Sequence, residues 1–323
     1  MSFSFRPATR ENVSLLIGLA GASGSGKTYT AMRLAKGICG ATPFAVIDTE
    51  AGRAKHYADA FKFDHGDLKP PFTPAAYADA IRAADDAHYP VIVVDSMSHE
   101  HAGEGGILDM QEAEFQRMGG RDNVKMASWI KPKGEHRRMV QRLLQIRAHL
   151  ILCFRAEEKI EMAKEMVDGR EKMVVRKKQT ATGLDGWVPI CEKNLPYELT
   201  ASFLLMAARP GVPLPIKLQE QHKALFPLDA SITEQSGLRL AQWAAGGTPP
   251  SAGADIPPAT GQAASAPSET RSETLKRLCA DAGANMIDLI AKAEVTHADE
   301  MSEADWNSAV RYLKKKAAAK AAV

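Results

Sequence analysis

Gly21-Ala22-Ser23-Gly24-Ser25-Gly26-Lys27-Thr28 fits G-x-x-x-x-G-K-[ST] at every required position. The apolar run Ser14-Leu15-Leu16-Ile17-Gly18-Leu19-Ala20 leads into it and reads as a buried strand, while Lys27 to Ile38 leads out with apolar residues at helical spacing. Strand, glycine-rich loop and helix in that order make a phosphate cradle. Glycines let backbone N–H groups close around phosphate oxygens, and the new helix directs its positive dipole end at the same anion. In such a loop Lys27 reaches the β- and γ-phosphates and the Thr28 hydroxyl ligates Mg²⁺. The spacing therefore predicts a nucleotide site made of Gly21, Ala22, Ser23, Gly24, Ser25, Gly26, Lys27 and Thr28, with Tyr29 at its edge, taking ATP and Mg²⁺. The plain alternative is a Gly/Ser-rich turn that binds nothing, but glycines, Lys and Thr at these fixed positions are rare in an ordinary turn.

Outward from the loop, apolar runs alternate with helical patterns. Phe44-Ala45-Val46-Ile47-Asp48, Pro90-Val91-Ile92-Val93-Val94-Asp95 and Leu150-Ile151-Leu152-Cys153-Phe154 read as strands, the β-branched run at Val91 as one covered by helices on both faces. Ala75 to Ala87 follows the breakers Pro70, Pro71 and Pro74 and is helical in pattern, as is Glu135 to Arg147. This alternation predicts an α/β core with a mainly parallel sheet flanked by helices. Trp187 to Ile190, Ala201 to Ala207 and Pro215 to Leu218 read as an antiparallel extension, and Thr233 to Ala245 as the last core helix. The expected domains are a core over 1–245, a flexible Gly/Pro/Ala/Ser linker over 246–272, and a small helical module over 273–323. In the module Glu273 to Ala282, Asn285 to Ala293 and Ser302 to Lys316 are the helical patterns, and the Ala/Lys tail is expected to fray.

Balanced charge, net +2, with 45% hydrophobic and 25% charged residues is ordinary for a globular protein and leaves any basic patch to be found locally. The four cysteines, Cys39, Cys153, Cys191 and Cys279, are scattered, which points to reduced thiols and away from a zinc site or disulfide framework. No apolar segment approaches bilayer length, and the first residues lack the apolar stretch of a secretory signal. A cytoplasmic protein with no membrane partner is the expectation.

In P-loop NTPases an apolar strand ending in Asp supplies the acid that holds the Mg²⁺ shell, and Asp95 fits. A carboxylate near the γ-phosphate must also polarise the attacking water; Glu50 and Glu100 are the nearest acids in sequence. Ala45-Val46-Ile47-Asp48-Thr49-Glu50 resembles the RecA-type segment in which a glutamate after the second strand activates water. Val91-Ile92-Val93-Val94-Asp95-Ser96 resembles the RecA-type metal-binding strand. From Phe3 to about Ala245 the chain is similar to phage-encoded RecA-like P-loop ATPases of the AAA-domain type, some of which are single-strand annealing recombinases.

The resemblance implies an ATP-hydrolysing protein that acts on single-stranded DNA in recombination, by annealing or strand pairing; the alternative is a nucleotide-switched adaptor or loader that works by protein contacts through its C-terminal helical module. It assigns Lys27, Glu50 and Arg155 to catalysis, although Arg155 stands where these recombinases commonly carry glutamine. An ion pair of Arg155 with Glu157 or Glu158 is the competing assignment. Lys159 to Gly186 becomes the DNA-facing loop, with Arg170, Lys172, Arg176, Lys177 and Lys178 tracking phosphates; a solvated charged hairpin is the alternative. The stretch His101 to Gly106 is a second such loop. His99 and His101 do not make a metal site, and Met162, Met166 and Met173 read as packing. Phe5-Arg6-Pro7-Ala8 resembles the Phe-x-x-Ala segment by which RecA-like subunits dock, so a homo-oligomer is implied, with Lys217 or Lys223 as the basic residue lent to a neighbour. A single-strand-binding protein is a further partner implied.

Overall fold

Each apolar run becomes a strand whose successive side chains point into two different helical layers. The computed structural model describes residues 8, 13–167, 170–178 and 186–246, and beyond these 275, 276, 278, 279, 282, 284 and 302–321. The order is β1 (Leu16–Gly21), α1 (Lys27–Cys39), β2 (Phe44–Asp48), β3 (Phe63–Asp67), α2 (Pro74–Asp86), β4 (Val91–Asp95), α3 (Ser98–Ala102), α4 (Ile107–Arg117), α5 (Ile130–Leu143), β5 (His149–Glu158), β6 (Ile160–Val167), β7 (Arg170–Lys177), β8 (Trp187–Pro189), α6 (Leu195–Glu198), β9 (Ala201–Met206), β10 (Arg209–Lys217) and α7 (Glu234–Ala244).

Among the described residues the main sheet has eight strands, ordered β10-β9-β1-β5-β4-β2-β3, with β8 added beside the far end of β5. From β9 to β3 every pairing is parallel. Leu15, Ile17, Leu19, Val46, Val93, Ile151 and Phe203 face a layer containing α1 and α7. Leu16, Ala20, Ile47, Ile92, Val94, Leu150 and Leu152 face α2 and α5. This period-two alternation inside continuous apolar runs is what burial on both faces requires. Each such side chain contributes about 1.5–3 kcal/mol on leaving water.

Helix caps and glycines set the approach of the layers. The Thr73 hydroxyl accepts the Ala76 amide at 3.2 Å, with Pro74 opening α2, and Thr233 caps α7. α1 crosses α7 closely enough that a Cβ on Gly37 would lie 2.0 Å from the Glu234 carbonyl oxygen.

Several expectations change. β9 is parallel to β1, so among the described residues of the main sheet only β8 and β10 run antiparallel, and β10 begins at Arg209. The helix expected at Glu135 to Arg147 is α5, which starts and stops earlier. β3, whose sequence FDHGD carries one large apolar residue, is an edge strand not foreseen. In the glycine-rich stretch after Asp95, His101 and Ala102 end α3, and residues 103–106 form the turn that leads into α4. The span expected as a DNA-facing loop holds a two-stranded antiparallel hairpin, β6–β7. Met162 and Met173 lie on its open face, 70% and 55% exposed with Ile160 and Val175, so they are not packing residues.

The chain divides into two compact units, Met1–Ala254 and Asp255–Val323. In the second, Leu275, Cys279, Ala282, Ala309 and Leu313 form a small core with Leu278, Ala284 and Trp306 against it. Its helix α8 (Glu303–Ala321) includes the Ala/Lys tail that was expected to fray. The linker call past Gly246, the Asn285 to Ala293 helix and residues 5–7 of the docking segment lie outside the described residues. Cys39, Cys153, Cys191 and Cys279 are free thiols, and among the described residues no helix is long and apolar enough to cross a membrane.

Candidate functional site

The carboxyl ends of β1, β2, β4 and β5 open onto one cleft of ≈ 650 Å³, lined by Gly21, Ala22, Ser23, Gly24, Lys27, Thr28, Glu50, Arg53, His56, Tyr57, Asp95, Arg155, Ala156 and Ile190. Ligands of parallel sheets bind at this end, where neighbouring connections diverge. Because β5 lies between β1 and β4, Arg155 stands between the loop after β1 and the acid that ends β4.

Local conformation makes the cradle. Gly24 and Gly26 have φ of 77° and 81°, left-handed values that side-chain-bearing residues rarely adopt. A Cβ on Gly21 would meet the Leu205 carbonyl oxygen at 2.4 Å. Buried Ser25 donates its hydroxyl to the Ala22 carbonyl at 2.8 Å, closing the loop, and Lys27 Nζ donates to the same oxygen at 2.9 Å. Ser25 and Gly26 thus shape the loop without lining the cleft. Tyr29, expected at the nucleotide, does not line it either; its ring rests on Tyr57 and Phe61 at 5.9 and 5.5 Å.

At the position expected to hold Mg²⁺ the Thr28 hydroxyl donates to Asp95 Oδ2 at 2.5 Å. Burial pushes the Asp95 carboxyl up to about 6; the Thr28 hydrogen bond and Lys27 oppose the shift, and Glu50 and Asp48 add to it. A buried carboxylate crowded by other acids beside a hydroxyl is a hard oxygen donor pair short of positive charge. Such a pair fits Mg²⁺, which takes one or two protein oxygens together with substrate phosphates.

Glu50 follows β2, and its position is built by Asp48, which sequence reasoning did not single out. Fully buried Asp48 accepts the Glu50 amide at 2.6 Å and the Ala54 amide at 2.9 Å, bending the chain so that Glu50 enters the cleft. Arg155 donates through Nε and an Nη to Glu50 Oε1 at 2.9 and 2.8 Å, and Arg53 donates to Oε2 at 3.0 Å. Burial raises the Glu50 carboxyl, but hydrogen bonds and charge from Arg155 and then Arg53 outweigh it and hold the group below the usual glutamate range. The ion pair of Arg155 is therefore with Glu50; Glu157 and Glu158 bind Lys159 and Lys177 instead. The pairing joins residues far apart in sequence, so no local pattern announces it.

Thr49 ties the strand ends together. Its hydroxyl accepts the Ser96 amide at 2.8 Å and lies 2.8 Å from His99 Nδ1, and its amide donates to the Asp95 carbonyl. The Asp95–Ser96 peptide is cis. His99 stacks on Phe72 at 5.1 Å. Glu100 is fully buried on α3, 3.0 Å from His136 Nδ1, and does not line the cleft, which removes it as the alternative acid. Lys217 donates to the Tyr197 carbonyl and Lys223 pairs with Glu220.

The five expected nucleic-acid residues lie on or just after β7 and none lines the cleft. Arg176 pairs with Glu161 at 3.0 Å and Lys177 with Glu158 at 2.7 Å. Arg170 and Lys172 stand in register opposite Val167 and Glu165, and the Lys178 amide donates to the Lys159 carbonyl. Acids on β6 thus stand in register opposite two of the five positions, Lys172 and Arg176, and Lys177 pairs with Glu158 of β5. Arg53, His56 and Tyr57 line the cleft without having been foreseen; the aromatic pair in Lys55-His56-Tyr57, six and seven residues past Glu50, was the available signal.

Comparison with curated proteins gives no match. Residues 14–189, more than half of the 323, match the family described as AAA domain, and the span runs from the strand before the phosphate loop through β8. The chain belongs to that family, the AAA domain, a module of nucleotide-binding ATPases.

Proposed function

We propose that the protein is a Mg²⁺-dependent ATPase of the RecA-like branch that acts on single-stranded DNA in recombination, by annealing or strand pairing. The observation that carries this reading is the convergence of Lys27, Thr28, Asp95, Glu50 and Arg155 around one cleft. Loop amides and the first turn of α1 hold the phosphate tail, and Lys27 leaves the Ala22 carbonyl to take up β- and γ-oxygens. Thr28 and Asp95 would hold Mg²⁺, which would supply charge neutralisation at the phosphates. The flat rings of His56 and Tyr57 offer a surface to the base.

Glu50 is a weak base while both arginines hold it. When the γ-phosphate draws the Arg155 guanidinium away, Oε1 is released to orient a water and take its proton as the water oxygen bonds to phosphorus and the bond to the β-phosphate breaks. Arg155 then neutralises charge on the transferred group. Isothermal titration of ATP with Mg²⁺, followed by phosphate release with and without single-stranded DNA, tests the reading. Binding heat that disappears in Lys27→Ala, with turnover stimulated by DNA, is expected; no heat from the unaltered protein refutes it.

Self-association belongs to the same proposal. β3 leaves one edge of the sheet open, and beside it runs a groove of ≈ 370 Å³ walled by Ala80, Ala83, Ala84 and Ala87 of α2 and its end. A sheet edge next to small side chains suits an extended segment with an aromatic anchor, such as residues 5–8 of a second copy.

A further inference from the structure

A larger excess of positive charge than the hairpin's lies outside it. From Arg117 to Arg147 there are nine Lys or Arg residues against two acids, Asp122 and Glu135, in a protein whose net charge is +2. All nine are exposed. Arg117 and Lys131 share Glu114, Arg138 pairs with Glu135, Arg142 with Asp79, and Arg147 with Asp85. Among the described residues Arg121, Lys125 and Arg137 pair with no acid, and Lys133 lies 5.8 Å from the ring centroid of Trp129.

These four cations and the tryptophan fall at every fourth position: Arg121, Lys125, Trp129, Lys133, Arg137. Arg121 is extended, Asp122–Val124 and Ala127–Trp129 are separate 3₁₀ turns, and the α-helix α5 begins at Ile130, directly after Trp129. Residues four apart stack on one face of a helix, about 6 Å apart along its axis. Trp129, Lys133 and Arg137 therefore form a ridge on one face, an aromatic ring followed by two cations, and Arg121 and Lys125 precede it on the turns. Met126 and Ile130 flank it, 83% and 74% exposed.

We infer that this ridge is a binding surface for single-stranded nucleic acid, an assignment that rests on the single-strand reading proposed above and moves its main contact from the hairpin to α5. Cations one helical turn apart at Lys133 and Arg137 match a partner whose negative charge repeats along a line, and the partly exposed indole of Trp129 beside them supplies the stacking platform that β6 and β7 lack. An acidic protein would be met by the same charge but gives no role to the ring between the cations. The groove behind Lys133 and Arg137 carries Glu192 and Glu198 on its opposite wall, so a strand follows the outer face of the ridge. α5 leads directly into β5, the strand that carries Arg155.

The test is fluorescence anisotropy of a labelled single-stranded oligodeoxythymidine across a salt series, with Mg²⁺ and a non-hydrolysable ATP analogue. Trp129→Ala is expected to weaken binding about five- to hundredfold, and Trp129→Phe to restore most of it. Lys133→Ala with Arg137→Ala is expected to reduce the slope of log K against log salt by about 1.4, two phosphates at 0.7 each. ATP binding by the variants, unchanged, shows that they fold. If these variants bind like the unaltered protein while Arg176→Ala with Lys178→Ala loses binding, the ridge is wrong and the single-strand reading stands. If the unaltered protein binds no oligonucleotide in any nucleotide state, or binds anionic vesicles instead, the single-strand reading falls and the ridge assignment with it.

Discussion

Replacing Glu50 with Gln separates turnover from architecture, because the isostere fills the same space without the charge. The Glu50 side chain is 15% exposed, while its partners Arg155 and Arg53 are 47% and 74% exposed. Ion pairs this open to solvent are worth about 0.2–1 kcal/mol each. A glutamine oxygen still accepts from Arg155, so the stability lost is about 1 kcal/mol or less, a fall in Tm of about 2–4 °C. The catalytic loss is much larger: a positioned general base contributes about 10²–10⁴ in rate, or about 2.7–5.4 kcal/mol of barrier. Phosphate release should therefore drop at least about a hundredfold while the Kd for ATP, measured by titration calorimetry, stays nearly constant. Acid stability gives a second readout. Glu50 is held below the usual glutamate range, so the unfolded chain binds the proton more readily and stability rises with pH. That contribution is complete above about pH 4.3 and is lost as pH falls through the folded value, so the acid limb of Tm against pH should be shallower in Glu50→Gln. Turnover above about a tenth of the unaltered rate would refute the assignment, since removal of the base must cost more than that.

Three further outcomes are expected. Gly37→Ala places a methyl 2.0 Å from the Glu234 carbonyl oxygen; overpacking of about 3 kcal/mol, less about 1 kcal/mol of helix propensity, should lower Tm by about 4–8 °C in calorimetry. His149 Nδ1 accepts the Leu15 amide at 3.2 Å, and burial lowers the ring's pKa. The stability it contributes is present above the unfolded value near pH 6.5 and is lost as pH falls toward the folded one, so His149→Gln should flatten the Tm profile on the acid side of about pH 6.5. Phe5→Ala should shift light-scattering mass toward the monomer if residues 5–8 dock beside β3; an unchanged mass removes that segment from self-association.

The parts legible in the sequence are those where chemistry or burial forces a pattern. The loop at Gly21 to Thr28 needs left-handed glycines and a lysine at fixed offsets, and strands covered on both faces need uninterrupted runs such as Val91 to Val94. β3 escaped because an edge strand needs no apolar alternation; His65 and Asp67 serve it as well as valine would. The ridge on α5 escaped because its cations are interleaved with the buried Pro132, His136 and Met139, so the total charge of +2 conceals them and only helical phase collects them on one side. The clamp on Glu50 escaped because Arg155 reaches it across the sheet, where register and not sequence distance decides who meets whom.

On the proposed mechanism, that register would let one arginine report on nucleotide to the rest of the molecule. The Arg155 amide donates to Ser98 Oγ at 2.9 Å, the Ser98 amide to Ser96 Oγ at 3.2 Å, and the Ser96 amide to the hydroxyl of Thr49, the residue before Glu50. The ends of β5, β4 and β2 are thus joined by short polar side chains that have little freedom to move separately. The Arg155 backbone is fixed by this chain and by β1, so only its guanidinium can travel between Glu50 and a phosphate. A side chain that moves on a fixed backbone changes charge, not shape, at the root of the hairpin, where Glu157 and Glu158 hold Lys159 and Lys177. Coupling between cleft and surface in this fold is therefore expected to be electrostatic first, and to weaken with salt before it weakens with any loss of packing.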